Sequence, residues 1–499
     1  MKNLVKYTLA VAASAIMFAA CDLNLVPNSA VAYEEGGVLI QTTANLNAFE
    51  TGILSSFRGL QMGDYINAEE FQFDCFNAVI DYGNNFGSLH RCDYTFTSSD
   101  YDVEDMWAGN YSAIKNFNII ISSADNVPEN LVASAKVLKG EAFFFRACSY
   151  LTLAHHFGPM PSANADALCV PLVLKYDQNE KPSRAKVGEV YAAIKSDLDS
   201  AAVLLAGVKG AVRAQKPTID AVNAVYARYF IDMKDYANAA KYAHLVIDTK
   251  TYKLASTQEE MTKEYVNDEG TEAIYQVFGS KTEGTNACNY WTQSTTDGNG
   301  VDGHVFRPYY IPTKALINAY EPNDLRFTTW FDNTQTVQIN GAYYTGEFYT
   351  MIKYWGNPSL VSSPIRNGRQ LPKPFKISEM YLIAAEAELS TNPAQAKIDL
   401  NTLQAARGAS LTDASTDTVR KEWYKETVGE GLRMVCLKRW GIGFNGRAPQ
   451  DGAKNIVMIG DVYDQKVFEA NSIYFQWPVP SYEMKINNNM EQNPGYDAI

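Results

Sequence analysis

With 499 residues, 43 basic against 56 acidic side chains and a formal charge of −13, the chain is long enough for one large core or for two units sharing an interface. So acidic a surface repels polyphosphates, which argues against nucleic acid as a partner and favours neutral ligands over strongly anionic ones. Beyond the N-terminus, no apolar run approaches the roughly 20 residues that a membrane-spanning helix needs.

At the N-terminus, Lys2 and Lys6 precede an uncharged run over 7–20, and Asp22 ends it too early for a bilayer span. The pattern is that of a cleaved signal peptide over 1–20. Met17, Phe18, Ala19 and Ala20 lead into Cys21 as a lipobox does, with Phe18 where leucine is usual. Cys21 is therefore the expected lipid attachment point and first residue of the mature protein, and several acyl chains there would make a stable anchor. Six further cysteines, Cys75, Cys92, Cys148, Cys169, Cys288 and Cys436, could form disulfides or stay buried thiols. None stands at C-x-x-C spacing, so no zinc site of that type is expected.

Helical signals follow in order. Helices are expected over 36–60, over 107–122 with an apolar stripe of Trp107, Tyr111, Ile114, Phe117 and Ile120 or Ile121, over 133–156 ending at the Gly158-Pro159 breaker, and over 187–205. Residues 218–248 read as two helices joined at Lys234-Asp235. Residues 378–408 repeat that layout, with Asn392 as N-cap, Pro393 at the first helical position, Gln395 at the third and Gly408 as terminator. Small residues stand twelve apart in both hairpins, Ala227 to Ala239 and Ala384 to Ala396, the spacing of tetratricopeptide repeats.

Between the hairpins, over 251–371, glycine, asparagine, threonine and aromatics rise while helical periodicity fades. Short strands are expected over 273–278 and 349–354, and an extended piece over 474–480. The fold class that results is mostly α: a helical N-terminal part over about 36–250, a loop-rich middle over about 251–371 and a C-terminal part over about 372–499. No nucleophile elbow, H-E-x-x-H or P-loop is present, and no D-x-D-x-D-G calcium loop. Gly441, Gly443 and Gly446 spell G-x-G-x-x-G but follow a helix, not a strand. His155 and His156 are adjacent and point apart on a helix, so the pair does not chelate. No enzymatic activity, metal or other cofactor is expected.

Four blocks carry a family resemblance: residues 139–161, with Glu141, Arg146, Phe157, Gly158 and Pro161; residues 377–389; residues 430–441, where Met434 and Val435 depart from the usual pattern; and residues 475–496, ending in Gln492, Asn493, Pro494, Gly495 and Tyr496. On these blocks the chain resembles the SusD/RagB family of outer-membrane lipoproteins of Bacteroidota. The resemblance implies a tetratricopeptide-like scaffold presenting a loop-rich ligand part. It also implies surface capture of nutrient oligomers, usually glycans, for delivery to a SusC-like TonB-dependent transporter. The alternatives are peptide capture, as in RagB-type members, and a scaffold that binds only its transporter. Arg433, Lys438 and Arg439 read as helix-end charges bonding neighbouring carbonyls or carboxylates.

Sugar binding needs flat aromatic faces and a few amides on loops. The resemblance directs the search to a loop after the first helices and to the loop-rich middle. Tyr82 and Asn84 in one, and Tyr290 and Trp291 in the other, are the ligand-binding candidates. Phe86, Tyr309, Tyr310 and Trp355 rank second, the last three because apolar neighbours suit a core role equally well.

Overall fold

A computed structural model describes residues 39–62, 73–80, 92–177, 179–283, 294–301, 304–361 and 368–497. The signal segment, Cys21 and Cys288 lie outside these. Among the described residues fourteen α-helices form the frame, with only short strands between them.

The first helix, α1 (Thr43–Leu60), starts several residues later than the sequence suggested because Thr42 and Asn45 form a capping box. Helix α2 (Tyr101–Ser123) likewise extends N-terminally to the Asp100 cap, and α3 (Val132–Phe157) ends at Gly158. Helices α1 to α3 and α4 (Val187–Leu204) pack around Phe57, Trp107, Phe117, Phe145, Tyr150 and Tyr191, all within 1 % of full burial. Cys148, Cys169 and Cys436 are buried free thiols, and Cys75 and Cys92 are buried too.

Two helical hairpins follow the expected pattern. Helix α5 (Ile219–Asp232) turns into α6 (Tyr236–Ile247) through Lys234 at φ 57°, with Asp235 capping the second helix. After α7 (Gln258–Tyr265), α8 (Lys314–Ala319) and α9 (Leu325–Trp330), helix α10 (Ile377–Glu388) turns into α11 (Pro393–Ala406), capped by Asn392. Ala227, Ala239, Ala384 and Ala396 are fully buried, and α6 packs on both α5 and α10, so the hairpins stack through their small residues. The remaining helices are α12 (Thr416–Glu426), α13 (Arg433–Trp440) and α14 (Ser481–Ile486).

The loop-rich middle is stitched by strands of two to eight residues. Strand β1 (Phe76–Ala78) pairs antiparallel with β5 (Tyr310–Pro312). The expected strand at 273–278 is β2 (Ala273–Tyr275), paired with β10 (Phe375–Lys376). Strands β3 (Ser294–Val301), β4 (His304–Phe306), β7 (Val337–Ile339) and β8 (Ala342–Tyr344) form a sheet in that order. The expected strand at 349–354 is reduced to β9 (Thr350–Met351), opposite β6 (Phe331–Asp332). Strand β11 (Phe444–Asn445) pairs with β12 (Val467–Phe468). In the C-terminal extended piece, Ile473–Phe475 is instead a 3₁₀ turn, after which the Trp477 amide donates to the His156 carbonyl at 2.7 Å.

A buried charge network joins middle to frame. Arg407, at the C-cap of α11, donates to both carboxylate oxygens of Glu272 at 2.7 and 2.9 Å and to Glu426 at 2.6 and 3.1 Å. Arg326 then links Glu426, Glu422 and Asp324. All six side chains are at most 1 % exposed. Burial alone would raise the Glu426 carboxyl, but Arg407 and Arg326 hold it far below the usual carboxylate range.

Candidate functional site

The first-ranked residues Tyr82, Asn84, Tyr290 and Trp291, and second-ranked Phe86, lie outside the described residues. The backbone flanking them is described and shares one foundation. Beside β1, the Val79 amide donates to the Tyr309 carbonyl at 2.9 Å and the Ile80 amide to the Ile456 carbonyl at 3.0 Å, just before residue 81. At the other loop's end, Ser294 opens β3 opposite Phe306 of β4. Phe306 and Tyr309 are three residues apart, at most about 11 Å of chain. One described flank of each candidate segment therefore borders the same short run of backbone. Beneath it lies an apolar cluster of Val79, Phe306, Ile311, Val337, Ile339 and Val457.

The second-ranked aromatics divide. Tyr310 is 1 % exposed within the core under β1 and β5, and so is withdrawn as a ligand contact: β5 pairs with β1 and turns that ring inward. Tyr309 is half-buried beside the same core. Trp355 is half-buried, its ring centroid 4.3 Å from that of Phe306 at 56°, at the edge of the apolar cluster. Trp355 and Tyr309 thus sit at the margin of the surface from which the candidate segments emerge.

The structure adds residues that the sequence reading missed. On the outward face of the sheet, Arg307 donates through Nε to Gln338 Oε1 at 2.8 Å, with Nη2 on the same oxygen, and Gln338 Nε2 donates to the Tyr343 hydroxyl at 2.9 Å. Gln338 and Tyr343 stand directly opposite each other on β7 and β8, and Tyr343 is 44 % exposed. Val337 and Ile339, alternating with Gln338, face the core. The signal for this hairpin was Asn340-Gly341, both at positive φ, the two-residue turn favoured between antiparallel strands. A phenol ring, an amide and a guanidinium in one chain of hydrogen bonds can stack on a sugar ring and meet its hydroxyls. None of the three is set up as a nucleophile beside a base.

Two concavities away from this face are committed to structure. A groove of about 450 Å³ between α2, the 171–182 loop and α14 has Trp107 in its floor, but that ring is 1 % exposed, and the Tyr111 hydroxyl is donated to the Pro171 carbonyl at 2.7 Å. A smaller cavity of about 110 Å³ touches His155, His156, Arg228 and Glu430. There His155 Nε2 meets Asp232 at 2.7 Å while His156 Nδ1 meets the Thr152 carbonyl, so the adjacent histidines serve different partners. Arg433 pairs with Asp74, Lys438 donates to the carbonyls of His155 and Gly158, and Arg439 grips Glu386, as the helix-end reading expected. The three glycines of the G-x-G-x-x-G string have backbone reasons: Gly441 and Gly446 take φ of +65° and +74°, and a Cβ on Gly443 would lie 1.6 Å from the Phe468 carbonyl oxygen.

Comparison with known proteins agrees with this geometry. A family model described as "Starch-binding associating with outer membrane" matches residues 40–231, and one described as "SusD family" matches residues 258–496. No curated protein matches the chain. Among solved structures, a SusD superfamily protein from Bacteroides thetaiotaomicron superposes with a TM-score of 0.74 at 22 % identity, over 90 % of this chain and 99 % of that one. A putative sugar binding protein from Bacteroides vulgatus gives 0.72 at 23 %, over 92 % and 100 %. A laminarin binding SusD-like protein gives 0.71 at 18 %, over 91 % and 100 %. At these identities the likeness concerns the fold. No described helix is long and apolar enough to cross a membrane.

Proposed function

The chain belongs to the SusD/RagB family of binding proteins associated with the outer membrane, and from that premise we propose that it captures neutral oligosaccharides at the cell surface and passes them to a SusC-like TonB-dependent transporter. In this reading the lipid on Cys21 tethers the body, and the chain catalyses nothing. The observation that supports it most directly is the outward chain of Tyr343, Gln338 and Arg307, placed where both candidate loop segments depart. Tyr82, Asn84, Tyr290 and Trp291 complete the proposed ligand surface, with Phe86, Tyr309 and Trp355 at its margin. The net charge of −13 suits an uncharged ligand.

Strand β8 is an exposed sheet edge, which favours a second reading in which an extended peptide adds a strand there. Mature protein, residues 21–499, screened against glycan and peptide arrays and followed by calorimetry, separates the two. Glycan binding is expected, with Trp291→Ala and Tyr82→Ala each costing ~1–3 kcal/mol, the range of base stacking on aromatics. Peptide binding alone would overturn the sugar assignment, and binding untouched by both substitutions would overturn the site. Co-purification of a transporter from outer membranes tests the delivery step.

A further inference from the structure

Away from the ligand region, the stacked hairpins bring a histidine and two carboxylates to one point. His244 lies in the last turn of α6, Glu388 is the last residue of α10, and Asp399 lies in α11. His244 Nε2 is 3.4 Å from Glu388 Oε2 and 3.4 Å from Asp399 Oδ2, and all three donor atoms fall within 4.8 Å of one another. A neutral or charged hydrogen bond of good strength is shorter, about 2.7–3.0 Å. For zinc bonds of about 2.0–2.2 Å to imidazole nitrogen and carboxylate oxygen, tetrahedral ligands stand about 3.4 Å apart. The two histidine separations match that tetrahedral edge.

Burial sharpens the point. The Asp399 and Glu388 side chains are only 4 % and 12 % exposed, so two acidic groups and an imidazole converge at one point largely out of water. Gln395 Nε2 donates to Asp399 Oδ2 at 3.2 Å, which orients the carboxylate as outer partners of metal ligands do. His244, 23 % exposed, leaves a route from solvent.

We propose that His244, Glu388 and Asp399 form a binding site for a divalent transition metal of the zinc class, with a fourth position open to water. One imidazole nitrogen with two carboxylate oxygens selects borderline ions over calcium or magnesium, which prefer all-oxygen shells. The ion would tie α6 to α10 and α11, pinning one tetratricopeptide-like hairpin to the next. The sequence conceals such a site, because its ligands come from three helices and follow no motif spacing.

The test uses untagged mature protein, stripped with chelator and titrated with zinc chloride by calorimetry, with cobalt(II) absorption as a report on coordination geometry. One ion per chain, tetrahedral cobalt bands and a raised Tm are expected. His244→Gln and Glu388→Gln, each confirmed folded by circular dichroism, should weaken binding at least as much as loss of an outer-shell partner does, roughly 10- to 100-fold. His155→Gln, at the unrelated Asp232 contact, should not. Absence of zinc binding by the wild type, or binding undiminished in both His244→Gln and Glu388→Gln, overturns the proposal.

Discussion

Glu141 offers a test of the helical frame that is set by pH. It sits within α3 at 1 % exposure, and its Oε2 has no hydrogen-bond partner among the described residues. Burial, assisted by Glu50 and opposed by Lys216, pushes its carboxyl up from 4.5 to about 8. The folded protein therefore keeps this proton over a range in which the unfolded chain has lost it. Its contribution to stability is fully present below about pH 4.5 and is lost as pH rises through about 8. At about 1.4 kcal/mol per pK unit, the gap of 8 minus 4.5 makes the full loss up to about 5 kcal/mol. Glu141→Gln removes the titration and keeps the shape. Urea unfolding of both proteins from pH 4.5 to 8.5 isolates the effect, because every other titrating group is common to the two. The variant should gain on the wild type steadily across that window and level off above it. A difference that stays flat with pH would refute the assignment of a buried, neutral Glu141.

Arg407→Met should cost about 3–5 kcal/mol, since it strands Glu272 as a buried anion without its guanidinium and leaves Glu426 only Arg326; thermal unfolding at neutral pH reads it. Gly443→Ala drives a Cβ into the Phe468 carbonyl and should lose roughly 1–3 kcal/mol as β11 is forced off β12, whereas Gly441→Ala, with open space around it, should show only the smaller strain of a positive φ; denaturant midpoints compare them. Tyr343→Ala, at an exposed ring, should leave Tm within a degree or two of wild type but weaken glycan binding by ~1–3 kcal/mol, roughly 5- to 150-fold; unchanged affinity would remove the sheet face from the ligand surface.

The helical hairpins were legible because their signals are local. Asn392, Pro393 and Gln395 mark an entry, and alanines twelve apart mark a close approach, whatever lies elsewhere in the chain. Helix α12 carries an equally local signal, a Ser415 and Thr418 capping box ahead of Val419 and Trp423, but its mean composition is polar and its apolar stripe is short. The middle was not legible in the same sense. Strand β1 finds its partner β5 more than 230 residues away, and a strand of three residues is too short for a period of two to declare itself. The charge network was hidden for a different reason: arginines and glutamates read as surface residues, and only the fold shows Arg326, Arg407, Glu272 and Glu426 closing on one another out of water. At the candidate site, aromatics could be nominated one by one, but the pairing of the described backbone at 306–309 and the outward triad of Arg307, just after β4, with Gln338 on β7 and Tyr343 on β8 come from long-range contacts.

That network bears on how the loop-rich middle keeps its shape. Arg407 stands at the end of a scaffold helix, Glu272 immediately before β2, and Glu426 at the end of α12. A pair of apolar residues there would pack as tightly, yet would tolerate sliding, whereas a planar guanidinium shared by two carboxylates accepts one geometry. Gln450 does the same work between β5 and the residue before β9. Its amide donates to the Pro312 and Tyr349 carbonyls at 2.9 and 3.0 Å while its oxygen accepts from the Tyr349 amide at 2.9 Å. Each contact fixes a strand too short to fix itself. The frame supplies hydrophobic stability and these polar clamps supply register, so the short strands of the middle keep one pairing although none is long enough to specify it alone.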